Sequence, residues 1–190
     1  MKIGRKDGLI IVDVQRDFVD GGALEVKGSI SIIPVINRYI EIFKLCGARI
    51  IASRDWHPPN HSSFKPYGGP WPIHCVQGTR GAEFHPELRL PNDVLIISKA
   101  TDPERDAYSA FQDTGLKGEL EKFGIERVFI CGLATEYCVK STALDALGLG
   151  FETFLLIDAI KGIDEESSKR AIKEMVDRGI RPITLNDLNY

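Results

Sequence analysis

The segment Arg127-Val-Phe-Ile-Cys-Gly-Leu-Ala-Thr-Glu-Tyr-Cys-Val139 begins as an apolar run, meets a glycine and passes into helical spacing, with Val139, Ala143 and Leu147 on one face. Cys138 therefore falls where a buried strand hands over to the first turn of a helix. Backbone N–H groups there lack intrahelical partners and the helix dipole presents partial positive charge. A thiol in that place is expected to ionise more readily than a free one, and the thiolate is the nucleophile. Two more reactive groups end apolar runs in the same way, Asp13 in Gly8-Leu-Ile-Ile-Val-Asp-Val14 and Lys99 in Asp93–Lys99. A carboxylate can accept the thiol proton and later deliver it to a leaving group, while an ammonium favours the thiolate. Asp13, Lys99 and Cys138 together could perform nucleophilic acyl transfer to sulfur. The plainer alternative is an Asp–Lys ion pair at a sheet rim beside an unrelated cysteine.

A second group is Asp55-Trp-His57 with His61 and His74 further on. In an extended segment residues i and i+2 point to the same side, so Asp55 and His57 can converge on one ion. His74, folded back by a Pro-rich loop, would complete an N/N/O set open to further ligands, as in catalytic metal sites. His61 either joins as a fourth ligand or borders the site. Such donors suit zinc, iron or manganese. His85, in Glu83-Phe-His-Pro86, has no obvious partner. Phe18, Trp71 and Tyr108 follow rim positions in irregular segments and could line a flat pocket for a ring, or merely pack their loops.

These residues need a scaffold that brings strand ends together. Apolar runs at Gly8–Val14, Ala48–Ser53, Asp93–Lys99, Val128–Gly132 and Phe151–Ile157 read as strands, with a short sixth at Ile180–Thr184 whose Pro182 places it at an edge. Helical patterns fall at Ser29–Leu45, Leu116–Phe123, the segment after Cys138 up to Leu147, and Glu165–Arg178 with Ala171, Ile172, Met175 and Val176 inward. Alternating strands and helices predict right-handed crossovers: a single-domain, three-layer α/β/α fold spanning residues 1–190 around a six-stranded, mainly parallel sheet. Ligands bind outside the carboxyl ends of such strands. From Pro58 to about Asn92 the chain is irregular and rich in Pro, Gly and His, a length of loop that is usually functional.

At 190 residues, 43% hydrophobic and 27% charged, the composition is that of an ordinary globular protein. A net charge of −3 gives no electrostatic case for nucleic acid or an anionic membrane, and no apolar run is long enough to span one. The four cysteines show no paired spacing and the first apolar run continues into Asp13, Gln15 and Arg16 rather than a cleavage site. Reduced thiols in the cytoplasm are therefore expected. No GxGxxG or GxxxxGK[ST] is present, which disfavours a dinucleotide or triphosphate role. Homo-oligomerisation is left open.

The blocks Val12-Asp-Val-Gln-Arg-Asp-Phe18, Gly21-Gly-Ala-Leu24, Ser53-Arg-Asp-Trp-His-Pro58, His61-Ser-Ser-Phe64, Trp71-Pro-Ile-His-Cys-Val-Gln-Gly78, Lys99-Ala-Thr-Asp-Pro103, Tyr108-Ser-Ala-Phe111 and Gly132-Leu-Ala-Thr-Glu-Tyr-Cys-Val139 run in order along the chain. In this the sequence resembles the nicotinamidase/pyrazinamidase family of isochorismatase-like cysteine hydrolases. The resemblance implies a triad of Asp13, Lys99 and Cys138, and a divalent metal, zinc foremost, on Asp55, His57 and His74 with His61 near or on it. It also implies an oxyanion hole from the N–H groups of Ala134 and Cys138, with a non-proline cis peptide before Ala134, and a ring pocket of Phe18, Trp71 and Tyr108. Thr135 could compete for the Cys138 N–H by capping the helix. Within the family a His is also common at Tyr137 and a Gly at Ala100. The implied reaction is hydrolysis of nicotinamide to nicotinate and ammonia. Two rivals remain: a family amidase for carbamoyl or ureido compounds, and a metal-water hydrolase in which Cys138 is incidental.

Overall fold

The computed structural model describes residues 1–189. One sheet of six strands, all parallel, runs in the order β3-β2-β1-β4-β5-β6, with β1 Asp7–Val12, β2 Arg49–Asp55, β3 Leu95–Lys99, β4 Arg127–Leu133, β5 Glu152–Lys161 and β6 Arg181–Ile183. The α-helices are α1 Ile33–Leu45, α2 Leu116–Lys122, α3 Lys140–Gly148 and α4 Glu165–Asp177. β6 is the edge strand anticipated from Pro182.

Period-two alternation sorts the central strands into two cores. Leu9 and Ile11 of β1, Phe129 and Cys131 of β4, and Phe154 and Leu156 of β5 face the α1 side, where Ile36, Tyr39, Ile40 and Phe43 meet them. Ile10, Val12, Val128, Ile130 and Leu155 face the other side, against Leu116 and Leu120 of α2, Ala143 and Ala146 of α3 and Met175 of α4. Burial on both faces is why these strands read as unbroken apolar runs. On α4 only Ala171 and Met175 are buried; Val176 is 39% exposed and does not face inward as expected. Among the described residues no helix is long and apolar enough to cross a membrane.

The chain winds from β1 outward to β3, then returns to place β4 on the other side of β1. The winding direction thus reverses between β1 and β4, the place in an open α/β sheet where a crevice forms. Asp13 follows β1 and Cys138 follows β4, so both border that crevice.

Gly132 is the close contact that makes this possible. It pairs with Val12, has φ 112°, and a Cβ there would lie 2.1 Å from the Val12 carbonyl oxygen. Backbone atoms cannot yield to it. Gly132→Ala should lower unfolding free energy by about 3 kcal/mol or more, read from urea midpoints; a midpoint equal to wild type would contradict the packing described.

Candidate active site

The site is assembled at the carboxyl ends of β1 to β4. Asp55 and Lys99, the last residues of β2 and β3, are register partners. Asp13 lies one residue beyond β1 in the left-handed region (φ 50°), as do Cys75 beside His74 (φ 47°) and Ala100 beside Lys99 (φ 52°). Non-glycine residues rarely adopt that conformation, so the backbone is strained where the polar groups are presented. The same geometry explains why glycine suits position 100. After β4 a cis peptide joins Leu133 to Ala134, and Thr135–Val139 form a π-helical turn that leads into α3. This turn has no side-chain cap, so the competition expected from Thr135 does not arise.

Lys99 is fully buried at the centre. Its Nζ lies 2.9 Å from Asp13 Oδ2, donates to Asp55 Oδ1 and to the Ala107 carbonyl at 3.2 Å, and stands 3.5 Å from Cys138 Sγ. Ser53 Oγ donates to Asp13 Oδ1 at 2.7 Å. Asp13 Oδ2 has no aligned hydrogen-bond donor despite the nearby ammonium, which leaves a lone pair free. Carboxylate oxygens of Asp13 and Asp55 and the Cys138 sulfur lie within 4.8 Å of one another.

Electrostatics correct one expectation. Burial pushes the Cys138 thiol well above its ordinary range; Lys99 opposes this, while Asp13 and Asp55 add to it. This direction opposes the readier ionisation expected of a helix start, since desolvation and two carboxylates disfavour the charged thiolate. Burial also raises the Asp13 carboxyl, with Lys99 opposing and Asp55 reinforcing, so Asp13 is a more competent proton acceptor than a solvated aspartate. Burial alone would lower Lys99, yet Asp13, Asp55 and Cys138 carry it well above its usual value, and it stays cationic.

The irregular stretch explains how the histidines arrive. His57 N–H donates to the Cys75 carbonyl at 3.0 Å and Gln77 N–H to the His57 carbonyl at 2.8 Å, so the chain doubles back and lays His74 beside His57. Asp17 Oδ2 holds the Cys75 N–H at 2.7 Å. Asp55, His57 and His74 each offer a ligand atom within 4.8 Å of the others. His74 Nδ1 donates to the Pro72 carbonyl at 2.7 Å, which turns Nε2 toward the site, 3.8 Å from Asp55 Oδ2. His57 Nδ1 is buried with no partner. Burial, then His74, His61 and Lys99, pulls the His57 pKa down to about 2, so the ring is neutral. An orphaned imidazole nitrogen, a second one set by its neighbour's hydrogen bond and a carboxylate oxygen fit a divalent cation.

His61 is buried at a ring distance of 4.4 Å from His57. Its Nδ1 accepts from the Ser63 N–H at 3.2 Å and its Nε2 faces the Arg105 carbonyl at 3.3 Å, so both nitrogens are engaged. Asp106 shares a 4.8 Å cluster with His57 and His61, a neighbour sequence reasoning missed. His85 stands apart, accepting from the Glu87 N–H at 3.3 Å.

Phe18, Trp71 and Tyr108 line one pocket together with Asp55, His74, Ala134 and Cys138. The Trp71 indole N–H donates to the Tyr108 hydroxyl at 3.0 Å, fixing both rings, and Phe18 lies 5.4 Å from the His74 ring. Leu24, Val26, Tyr137 and Ile163 complete the wall, and none was singled out from sequence as a pocket residue. Only Tyr137 carried a signal, through its place beside Cys138.

Fold and site together define a parallel α/β protein with a buried Asp13, Lys99 and Cys138 cluster beside Asp55, His57 and His74. The chain belongs to the isochorismatase family: residues 7–187 match the isochorismatase domain. It is 41% identical to the nicotinamidase of Acinetobacter baylyi, over 99% of this chain and 97% of that one. It is 39% identical to the nicotinamidase of Escherichia coli, over 94% and 95%. Among solved structures it is similar to the pyrazinamidase of Pyrococcus horikoshii in complex with zinc, with 56% identity, TM-score 0.93, and coverage of 95% of this chain and 99% of that one. The L. infantum PnC1 structure in complex with nicotinate is 37% identical with TM-score 0.93, covering 100% and 98%.

Proposed function

We infer that the chain is a nicotinamidase, a cysteine amidohydrolase that converts nicotinamide to nicotinate and ammonia through a thioester on Cys138. The observation that carries this reading is one cavity lined jointly by Cys138, by Asp55 and His74, and by the aromatic rings of Phe18, Trp71 and Tyr108. Aromatic walls suit a flat ring, and a nucleophile beside them suits its carboxamide. The named activities of the relatives support the same reading.

Phe18, Trp71 and Tyr108 hold the ring; Asp55, His57 and His74 would hold a divalent cation, which would supply Lewis acidity toward the ring nitrogen. Zinc is the favoured ion, on the chemistry of the donors and its presence in the Pyrococcus relative. Cys138 Sγ attacks the carboxamide carbon as its proton passes to Asp13. The N–H groups of Ala134 and Cys138 receive the oxyanion. Asp13 then protonates the departing ammonia, the C–N bond breaks and the thioester remains. A water that gives one proton to Asp13 attacks the thioester, that proton returns to sulfur, and the acid product loses its remaining proton to solvent as nicotinate. Lys99 stays protonated throughout and stabilises Asp13 and the developing thiolate.

A carbamoyl or ureido substrate has no ring nitrogen and needs neither the cation site nor the aromatic walls. Ammonia release from nicotinamide, with an N-carbamoyl amino acid as comparison, tests the choice; turnover of the second alone would overturn it. The metal-water alternative predicts activity that survives thiol alkylation with zinc in place. His57→Ala should weaken zinc binding by more than the roughly 10–100-fold that outer-sphere partners are worth, and should raise KM. Full zinc stoichiometry at wild-type affinity would remove His57 from the set.

A further inference from the structure

We propose that Gln15 is a positioning residue that fixes Asp55 in place, its side-chain amide standing in for a rung missing from the sheet. β1 last pairs with β2 at Val12 opposite Ser53, and the Asp13 N–H still reaches the Ser53 carbonyl at 3.2 Å. At Asp13 the chain turns off the sheet (φ 50°). Asp55, two residues beyond Ser53, directs its N–H and C=O toward the same vacated side. Gln15 fills it: Oε1 accepts from the Asp55 N–H at 2.8 Å and Nε2 donates to the Asp55 carbonyl at 2.8 Å. The second amide proton goes to the Ala82 carbonyl at 3.0 Å, and the side chain is fully buried. Those two bonds to Asp55 are ones that two successive rungs of a parallel neighbour would otherwise supply.

Asp55 is where this matters, because it serves both halves of the centre. One carboxylate oxygen accepts from Lys99 and the other faces His74 Nε2 at 3.8 Å. On its other flank the Trp56 N–H donates to the Lys99 carbonyl at 3.1 Å, so β3 and Gln15 grip this end of β2 from opposite sides. Buried amide groups left without partners are costly, so the fully satisfied Gln15 amide fixes the main chain firmly. A carboxylate held this way meets cation and ammonium without reorganising. This inference rests on the functional reading above, since it assigns Gln15 a role in that centre.

The test compares wild type with Gln15→Glu and Gln15→Met, measuring zinc affinity by equilibrium dialysis and nicotinamide kinetics with saturating zinc. Glu keeps the shape but cannot donate to either carbonyl; Met keeps the volume and removes all three bonds. Both should bind zinc about 10–100-fold more weakly and, when zinc-loaded, lose kcat more than they raise KM, because Asp55 also sets Lys99. A residue that only fills the core would lower thermal stability and leave zinc affinity and kcat within twofold of wild type, and that result overturns the proposal. Should the variants fail to fold, the Asp55 amide proton of wild type decides: exchange as slow as the β2 interior supports the clamp, and exchange as fast as the following loop overturns it. A wild-type protein that neither binds zinc nor releases ammonia would instead overturn the functional reading.

Discussion

Cys138→Ala should reduce ammonia release from nicotinamide by about 10⁴-fold or more while zinc content stays at the wild-type value. Among the described residues Sγ is the one thiol lining the cavity, and it is not in the Asp55, His57 and His74 ligand set, although it lies near Asp55. Removing a buried thiol beside Lys99 also removes a group the ammonium contacts at 3.5 Å, yet both carboxylates remain to hold it. The variant should therefore fold and bind nicotinamide. Steady-state assays, metal analysis and a binding isotherm check the three parts. Activity within tenfold of wild type would remove Cys138 from the chemistry and leave the metal-water route.

Lys99→Met should have the second largest effect, and on stability as well as on rate. Met has nearly the same length but leaves Asp13 and Asp55 facing each other with no buried cation between them. Breaking a buried pair by deleting one partner costs about 3–5 kcal/mol, and here one ammonium serves two carboxylates. Turnover should fall by about 10²–10³-fold or more, since nothing then stabilises charge beside the sulfur. Zinc should restore part of the stability by neutralising Asp55, so the gap between variant and wild type should narrow on metal addition. Urea unfolding with and without zinc measures this. A variant as stable as wild type without metal would mean that the two carboxylates do not depend on Lys99.

Strand ends were the most legible part of the chain, because burial on both faces writes β1 to β5 as apolar runs and their polar termini stand out. Lengths were less so. β5 runs to Lys161 rather than Ile157 because the β4–β5 register shifts between Ile130 and Gly132 and resumes at Ile160. Within the site, Asp55 and His57 were readable from alternation, but joining His74 to them needed a fold-back of the Pro-rich loop that the sequence suggested and did not locate. The physical tie is backbone pairing of His57 with Val76 across an aperiodic stretch, which no local pattern records. Wall residues such as Val26 and Ile163 were unreadable for a similar reason. Ile163 is placed by Glu136, whose Oε1 accepts from the Ile163 and Asp164 N–H groups at 2.9 Å each. The thiol was misjudged because a helix-start argument is local, whereas its ionisation is governed by burial and carboxylates from other strands.

The cluster of Asp13, Asp55 and Lys99 sets two carboxyl groups against a single ammonium. That imbalance draws in a divalent cation, and once one is bound the sign inverts. The loaded cavity then favours an arriving neutral amide that becomes anionic as it reacts, and passing the thiol proton to Asp13 alters nothing in the total. Nicotinate, by contrast, is born as an anion beside a cationic cluster, so its departure rather than bond cleavage is the step expected to respond most steeply to salt.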